Sequence, residues 1–498
     1  MAQRVPSIPQ IYRNLARWRE ILAVLSTFGV AEWLSRLEPG VRRRLVPIGR
    51  EYAHLGQETR VRLALEQLGP TAIKLGQVLS TRSDLVGVRL AQELERLQTH
   101  APPTPFTEVR ATIESELGRS LDELFETFDP TPIASASIGQ VHGARLPPSD
   151  VGGGEAVAGE RVVVKVQHPG IARTVRIDLE ILAGVAQLAE RLPEFAFYRP
   201  TATVNELRRT LLRELDFASE ERHLAEFRAM FEDQRGVRVP RPYPELSTHR
   251  VLTMERLDGI ALRERDQLIA SGHDVELVAR RGVEAYMEMV FHHGVYHADP
   301  HPGNILVLPG NVVGLIDFGM IGRLDEQLRE DVEDILLALS MGDGGHLASI
   351  IVRVGQVPID LDHAALDVDI AEFVAHYATQ SVGRFDLGGA LSDLTELIRR
   401  HRIMLPARLS LLIKMLVVLE GSARLLRPDL DLVEVIAGYQ RQIVLRRLSP
   451  KRRLFKILRL YGEMEHLFEV LPRGIADLLE QAQSGKLDVH LDHRGLEP

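Results

Sequence analysis

The segment 296–319 constrains the fold of this chain more than any other part of the sequence. Two apolar runs, Ile305 to Leu308 and Val312 to Ile316, flank the turn residues Pro-Gly-Asn. Apolar runs of this length around a turn of this composition predict a β-hairpin. A hairpin here brings three oxygen-bearing side chains to one edge of the ribbon: Asp299, Asn304 and Asp317.

The spacing of these residues is similar to the kinase catalytic loop, H-R-D-x-x-x-x-N, followed by D-F-G. In that chemistry the first aspartate orients or deprotonates the attacking hydroxyl, and the asparagine and last aspartate hold Mg²⁺. Mg²⁺ prefers a few oxygen ligands and keeps part of its water shell, which a carboxylate and an amide permit. We therefore predict Asp299 as catalytic and Asn304 and Asp317 as metal ligands. A polar turn between two core strands is the alternative.

The length and composition of the chain limit its architecture. A chain of 498 residues is too long for one compact core, so two or three subdomains are expected. The absence of cysteine excludes disulfides and thiolate metal sites and fits an intracellular setting. A net charge of −9 argues against a nucleic-acid partner. With no signal-peptide pattern and no run of about 18 apolar residues, we expect a cytoplasmic chain without a membrane span.

Lysine is rare in this sequence. Only six of the 60 basic residues are lysine, and all the others are arginine. Such a bias is typical of a GC-rich, bacterial genome. Where lysine is kept at a motif position, we expect the site to need a compact ammonium rather than a planar guanidinium. Two of the six, Lys74 and Lys165, occupy such positions.

Lys165 lies in the valine-rich segment Arg161 to Val166, which predicts a strand. An ammonium among valines needs a partner, because an unpaired buried charge is costly. The segment resembles the V-A-I-K strand, whose lysine contacts nucleotide phosphates and a helix glutamate. On the predicted helix Thr203 to Phe231, we expect Glu214 to pair with Lys165, with Glu220 as second choice. The alternatives are a solvent-reaching edge-strand lysine and a solvated run of carboxylates.

Two further segments are candidates for nucleotide contact. A loop of small residues stands where a kinase keeps its glycine-rich loop; such residues permit a turn but restrict close approach of backbone N–H groups to phosphates. An ordinary strand is the alternative here. Predicted strands at Val239 to Glu245 and Arg250 to Gly259 lead to a hinge, where kinases bind adenine through backbone groups. The loop candidates are Ala134, Ser135, Ala136 and Ser137, and the hinge candidates are Met254, Glu255 and Leu257.

The rest of the chain is predominantly helical in its periodicity. An N-terminal helical extension over residues 1–105 ends in a proline-rich linker. Within it, Lys74 and Gln77 share a helix face, and their spacing alone favours a solvated polar stripe. The predicted regions that follow are a kinase-like N-lobe over 106–255, a C-lobe over 256–445 and a basic tail over 446–498.

The ordered set of motifs resembles the UbiB family of atypical kinases. The resemblance rests on Lys74-Leu75-Gly76-Gln77, the alanine-rich loop, Lys165, Glu214-Leu215-Asp216, His297 to Asn304 and Asp317-Phe318-Gly319. It implies an α+β, helix-rich, bilobal protein-kinase-like fold whose N-terminal helical extension lies over the active site. It also implies that Lys74 and Gln77 reach into the nucleotide pocket, where a protein substrate would otherwise sit.

The resemblance also implies a function. The implied activity is binding of ATP with Mg²⁺, with ATPase or restrained kinase activity. The implied role is support of isoprenoid-quinone (ubiquinone) biosynthesis at a membrane, with a lipid or quinone precursor as a candidate partner. In this assignment Asp299, Lys165 and Glu214 are catalytic, and Lys74 and Gln77 belong to the nucleotide site.

Three features depart from the family pattern. His223 stands where the family often has asparagine, which puts a polar contact in doubt. Ser135 interrupts the alanine run, a mild change. A C-terminal hydrophobic hairpin common in bacterial members is absent, so the chain is expected either to be truncated or to associate peripherally.

The segment after Gly319 bears on the substrate. No Ala-Pro-Glu follows, so an activation segment of the protein-kinase type is missing, which counts against peptide substrates. Small-molecule kinases of the aminoglycoside and choline type share the catalytic hairpin and are the enzymatic alternative. A third hypothesis is a nucleotide-gated lipid-binding or chaperone module, in which ATP binding rather than transfer is the output.

The segment Arg446 to Tyr461 places seven basic residues around an apolar stripe. A basic amphipathic helix in an acidic protein is typical of peripheral binding to an anionic membrane surface, here the inner face of the cell membrane. A helix docked on the C-lobe with charged flanks is the alternative.

The tail hypothesis predicts salt-sensitive membrane binding. In a flotation assay the protein should rise with vesicles containing anionic phosphatidylglycerol and remain behind with neutral phosphatidylcholine vesicles. Because salt screens exposed charges, the bound fraction should fall as NaCl is raised. Equal flotation with both vesicle types, or no flotation, would contradict the membrane hypothesis for this segment.

Overall fold

The computed structural model describes most of the chain between residues 17 and 427. The described residues are parts of 17–28 and 52–97, and then 102–148, 159–191, 199–378 and 386–427. They belong to one compact unit spanning Met1–Ile436. The predicted basic tail at 446–498 lies outside the described residues.

The N-terminal extension is a stack of helices, as predicted. Gly69 has a φ of 91°, in the left-handed region that favours glycine, and Pro70 occupies the first turn of the next helix. Gly76 is buried, and a Cβ there would come within 2.2 Å of the Leu97 side chain. The helices are α1 (Gln57–Leu68), α2 (Pro70–Ser80), α3 (Ser83–Val86) and α4 (Val88–Glu95).

The N-lobe is built on an antiparallel sheet of four strands. Its core forms where the buried valines of the third strand, among them Val162 and Val164, pack against Val109 and Ile113 of the preceding helix. The sheet order is β1-β2-β3-β5, with β1 (Thr127–Ser135), β2 (Gly139–Arg145), β3 (Arg161–Gln167) and β5 (Val251–Glu255). Two helices precede it, α5 (Phe106–Leu117) and α6 (Leu121–Leu124).

Between β3 and β5 the described residues form three α-helices. They are α7 (Ile171–Ala189), α8 (Pro200–Glu214) and α9 (Phe217–Met230). The prediction of one continuous helix from Thr203 to Phe231 was wrong. Asp216 lies between α8 and α9 in an extended conformation, and its carboxylate accepts a hydrogen bond from the Ala218 N–H. This capping interaction favours a new helix start over continuation of α8.

The predicted catalytic hairpin is confirmed in the C-lobe. Strand β8 (Ile305–Leu308) pairs with β9 (Val312–Leu315) in antiparallel register. Gly310 and Asn311 between them both have positive φ, 78° and 60°, which matches the right-handed twist of a tight hairpin. The sheet order is β4-β9-β8-β6, with β4 (Val237–Arg238) and β6 (Ile260–Ala261) at its edges.

A separate two-stranded sheet is formed by the strands that flank the catalytic segment in the sequence. Strand β7 (Val295–His297) pairs with β10 (Ile321–Arg323). A π-helical turn, Glu288–His293, joins β7 to the preceding helix. The predicted strand at Val239 to Glu245 was wrong, because prolines interrupt it and a 3₁₀ turn forms at Pro244–Leu246.

In the described part of the C-terminal half, the remaining regular elements are helices. They are α10 (Arg265–Ala270), α11 (Val275–Met287), α12 (Glu326–Met341), α13 (Gly344–Val354), α14 (His363–Ala378), α15 (Leu387–Arg400) and α16 (Ala407–Leu426). Helix α16 packs on the catalytic segment, since the Ser422 hydroxyl donates to the Pro300 carbonyl at 2.8 Å. Within the described ranges no helix combines the length and apolarity needed to cross a bilayer.

The break before α9 leads to a prediction about stability. Asp216→Ala removes the acceptor for the Ala218 N–H and should lower the free energy of unfolding by about 1 kcal/mol. Asp216→Asn is the matched control, because asparagine caps a helix about as well as aspartate. Urea unfolding of the three proteins measures the effect. Equal destabilisation by both substitutions would show that the cap does not stabilise this break.

Candidate active site

Lys165 is the centre of the charged cluster between the two sheets. Its Nζ lies 2.8 and 3.0 Å from the two carboxylate oxygens of Glu220, on α9, and 3.9 Å from Oδ1 of Asp317. It also lies 5.2 Å from the centre of the Phe217 ring, a cation–π contact. The ammonium therefore joins the N-lobe strand, helix α9 and the end of the catalytic hairpin.

The pKa values of this cluster follow from its geometry. Burial opposes the charge on Lys165, but the carboxylates of Asp317 and Glu220 outweigh it and raise the lysine pKa above its ordinary value. The Lys165 ammonium lowers the pKa of Asp317 to about 2. Burial raises the pKa of Glu220 although Lys165 acts in the opposite direction. Lys165 and Asp317 are thus held charged at neutral pH.

The prediction that Glu214 pairs with Lys165 was wrong. Glu214 lies at the end of α8 and pairs with Lys74 of α2, with an Nζ to Oε2 distance of 2.8 Å. The second-choice partner, Glu220, contacts Lys165 instead. The break at Asp216 explains the exchange, because it places the two glutamates on separate helices that meet different lysines.

Lys74 brings the N-terminal extension to the site. Its ammonium contributes to the low pKa of Asp317, so the side chain lies near the catalytic hairpin. The expectation of a solvated polar stripe is therefore incorrect for this lysine, which is four-fifths buried. Gln77 is one turn further along α2 and half-buried.

Hydrogen bonds fix the polar side chains of the catalytic hairpin. Asn304 Nδ2 donates to Asp299 Oδ2 at 3.1 Å, so the amide oxygen of Asn304 is the atom that would serve as a metal ligand. The N–H of Gly319 donates to Oδ1 of Asp317 at 3.0 Å and fixes that carboxylate. One amide and one carboxylate oxygen are the donor types that Mg²⁺ prefers, so this pair fits the predicted metal.

His297 is hydrogen-bonded to the backbone of both Asp299 and Asp317. The ring is fully buried, and its Nδ1 accepts from the Tyr286 hydroxyl at 3.2 Å and from the Asp299 N–H at 3.3 Å. Nε2 therefore carries the proton and donates to the carbonyl of Asp317. Burial lowers the pKa of His297, which keeps the ring neutral and this tautomer in place. Sequence inspection named His297 only as part of the motif and assigned it no role.

Phe318 fixes helix α9 to the hairpin. Its ring is fully buried and lies 4.9 Å from the ring of Phe227 on α9. His223, on the same helix, donates from Nδ1 to the Phe318 carbonyl at 3.0 Å. Histidine thus makes a polar contact at the position where the family often has asparagine. The helix that carries Glu220 cannot shift without disturbing the residue next to Asp317.

The alanine-rich loop is a tight turn between β1 and β2. The Ala136 N–H donates to the Gly139 carbonyl at 2.9 Å, and His168 Nε2 contacts the Ala136 carbonyl at 2.8 Å. The Ser135 and Ser137 hydroxyls are shielded from solvent and have no hydrogen-bond partner. Ala134 and Ala136 are exposed. Two unpartnered hydroxyls in the loop that would cover a nucleotide fit a ligand rich in phosphate oxygens.

The hinge candidates differ in what their backbone can offer. The Glu255 N–H donates to the Arg241 carbonyl at 2.8 Å, and its carboxylate contacts Arg238. Met254 lies within β5 and is buried. Leu257 follows the strand and packs toward Gly314 of β9. A backbone contact of any of these three with a base stays a prediction.

Comparison with known proteins agrees with this geometry. Residues 96–351 match the ABC1 atypical kinase-like domain, and residues 370–431 match the UbiB helical domain. A probable protein kinase UbiB of Aeromonas hydrophila is 34% identical over 89% of this chain and 81% of its own length. The chain belongs to the UbiB family of atypical kinases.

Other similar proteins cover nearly the same length. A probable protein kinase UbiB of Shewanella denitrificans is 33% identical over 88% of this chain and 80% of its own. An uncharacterized protein of Clostridium pasteurianum, from the hydrogenase 1 5′ region, is 30% identical over the same shares. A Mycobacterium tuberculosis structure described as a complex with erythromycin has 24% identity and a TM-score of 0.47, covering 73% of this chain and 89% of its own.

The two UbiB family matches divide the site between them. Lys165, Glu220 and the catalytic hairpin lie within the kinase-like match, whereas α16 lies within the helical-domain match. Lys74 precedes both matches. The α+β, helix-rich, kinase-like fold predicted from the sequence is confirmed.

Double-mutant cycles in urea unfolding measure which glutamate is energetically coupled to Lys165. Lys165→Met with Glu220→Gln should give a coupling free energy of about 1–3 kcal/mol, because the two charges are in contact and shielded from water. Lys165→Met with Glu214→Gln is the matched control and should give less than about 0.5 kcal/mol. A control coupling as large as the first would restore Glu214 as the partner of Lys165.

Proposed function

We propose that this chain binds ATP with Mg²⁺ and catalyses hydrolysis or restrained transfer of the terminal phosphoryl group. The observation that supports it is the 3.9 Å contact of Lys165 Nζ, from the N-lobe strand, with Oδ1 of Asp317 at the end of the catalytic hairpin. Asn304 begins the same hairpin, and its carbonyl accepts from the N–H of Ile316, the residue before Asp317. Phosphoryl transfer needs positioning and charge neutralisation more than covalent chemistry, and these are what the side chains offer.

Each residue has a defined role in this proposal. Asn304 and Asp317 would hold Mg²⁺, which supplies charge neutralisation on the phosphates. Lys165 binds the phosphates, and Glu220 holds the Lys165 ammonium in place. Asp299 orients the attacking hydroxyl or water and accepts its proton. The hydroxyls of the alanine-rich loop are additional donors toward phosphate oxygens.

Restrained transfer is favoured over phosphorylation of peptides. The Lys74–Glu214 pair lies near the hairpin, and the family resemblance implies that a protein substrate would otherwise sit there. The chain also lacks the Ala-Pro-Glu that ends a protein-kinase activation segment. A small acceptor or water needs less room beside the hairpin than a peptide does.

The family points to a cellular role. We infer from the UbiB relatives, and from what the family resemblance implies, that the activity supports isoprenoid-quinone biosynthesis. The proposed location is the inner face of a bacterial membrane, reached peripherally through the basic tail. A lipid or quinone precursor is the proposed partner.

Two substitutions test binding and turnover separately. Asp317→Asn removes a metal ligand, so MgATP should no longer raise the melting temperature. Asp299→Asn leaves the proposed metal ligands intact, so MgATP should still raise it while phosphate release falls by about 100-fold or more. Differential scanning fluorimetry and a phosphate-release assay, with and without vesicles, make the two measurements.

The two outcomes discriminate between hypotheses. Unchanged stabilisation of Asp317→Asn by MgATP would remove the metal assignment. Wild-type protein that binds MgATP but releases no phosphate and labels no acceptor would favour the nucleotide-gated binding module instead.

A further inference from the structure

Lys414 is a half-buried lysine of the helical domain that no role described so far requires. It lies on α16, and its Nζ is 3.0 Å from Oγ of Ser80, at the end of α2. Two turns further along α16, Ser422 donates to the carbonyl of Pro300, the residue after Asp299. Helix α16 is therefore in contact both with the N-terminal extension and with the catalytic loop.

The charged groups that face Lys414 come from three elements. Asp299 of the catalytic loop and Glu95 at the end of α4 favour its charged form, whereas Lys74 of α2 opposes it. Burial is the largest influence, and it lowers the pKa of Lys414 below the ordinary lysine value. The reciprocal effect is present, since Lys414 acts against the burial that raises the pKa of Glu95.

The catalytic loop itself lacks a permanent cation. In the kinase pattern H-R-D an arginine precedes the catalytic aspartate, whereas this chain has Ala298 at that position. From His297 to Asn304 there is neither lysine nor arginine. Of the two histidines, His297 is buried with a lowered pKa and His301 is exposed. A positive charge beside Asp299 must therefore come from another part of the chain.

We infer that Lys414 is a positioning residue for the reaction. Its ammonium, presented by the helical domain, supplies beside Asp299 the positive charge that the catalytic loop lacks. It is one of only six lysines in a chain that uses arginine for 54 of its 60 basic residues.

The inference rests on the proposed function and assigns one part of its chemistry. In the transfer, the bond between the terminal phosphorus and its bridging oxygen breaks, and ADP leaves with that electron pair. The acceptor oxygen, from a hydroxyl or water, forms the new bond to phosphorus, and its proton passes to Asp299. Lys414 holds the Asp299 carboxylate in place by its charge and keeps its own proton throughout.

Kinetics of four variants test the role. Lys414→Met should lower kcat for phosphate release by about 10- to 100-fold while KM for MgATP changes less than about threefold, because the charge acts near the acceptor and not on the nucleotide. Lys414→Arg should recover most of kcat. Arg408→Met removes a charge from an exposed position on the same helix, and Ser80→Ala removes only the hydrogen bond. Both controls should stay near wild type.

The pH profile adds a readout that a purely structural contact would not change. If Lys414 must be protonated, wild-type kcat should decline at alkaline pH, below the pH at which an ordinary lysine titrates. Lys414→Arg should move that decline to higher pH, since the guanidinium stays charged. Melting temperatures across the same range separate loss of charge from unfolding. Identical profiles for the two proteins, or kcat of Lys414→Met within twofold of wild type, would overturn the inference.

A measurement without nucleotide separates this inference from the proposed function. Competitive acetylation followed by mass spectrometry gives the pKa of Lys414, and with only six lysines the peptides are easily assigned. Asp299→Asn removes a carboxylate that favours the ammonium, so the pKa of Lys414 should fall relative to wild type. Unchanged titration would refute the proximity itself. If the pKa of Lys414 shifts but the wild-type protein releases no phosphate from MgATP, Lys414 does lie near Asp299 and the proposed phosphoryl transfer is refuted.

A purely structural role of Lys414 would give a different set of results. If Lys414 served only to attach α16 to α2, Ser80→Ala would reproduce the loss seen in Lys414→Met, and both would lower the melting temperature together. That result would refute the positioning role.

Discussion

The structure of the site depends on one buried ammonium. Lys165 stands on a strand of valines and would be costly to bury alone, so the fold has to bring carboxylates to it. Glu220 arrives on α9 and Asp317 at the end of the catalytic hairpin, and each comes from a different part of the chain. The same charge that stabilises this packing keeps Asp317 ionised, the form that a metal ligand requires. The same interaction therefore joins the two lobes and keeps Asp317 ionised.

Helix α9 transmits that arrangement through apolar contacts. Phe227 packs against Phe318, and His223 donates to the Phe318 carbonyl, so the helix is fixed to the hairpin beside its charged residue. His297 fixes the hairpin from the opposite side through its neutral ring. The N-terminal extension then closes over this unit, with Lys74 held by Glu214. The family resemblance implies that this helix takes the place of a protein substrate, which is the basis for proposing a small acceptor.

Much of the fold could be predicted from sequence, and the part that could not has a common cause. The hairpin was predictable because Ile305 to Leu308 and Val312 to Leu315 pair locally around a glycine-containing turn. The wrong pairing of Glu214 came from assuming one helix, because a helix pattern does not reveal an aspartate that stops it as a cap. In the sequence Lys414 is a polar interruption of an apolar segment, Leu411 to Leu419. Its rarity in an arginine-rich chain was the signal that could have identified it.

The sequence by itself determined the chemistry of the catalytic residues: which carboxylates, which amide and which strand lysine the site contains, because their spacing is short and their local structure follows from neighbouring residues. Tertiary structure alone decided which acid meets which base. The contacts that decide this join residues 55 to 334 positions apart: Lys165 with Glu220, Lys74 with Glu214 and Lys414 with Ser80. Each contact also depends on how a helix is rotated about its axis, which packing decides. No local pattern fixes such rotations, since they result from burying all the apolar faces of the fold at once.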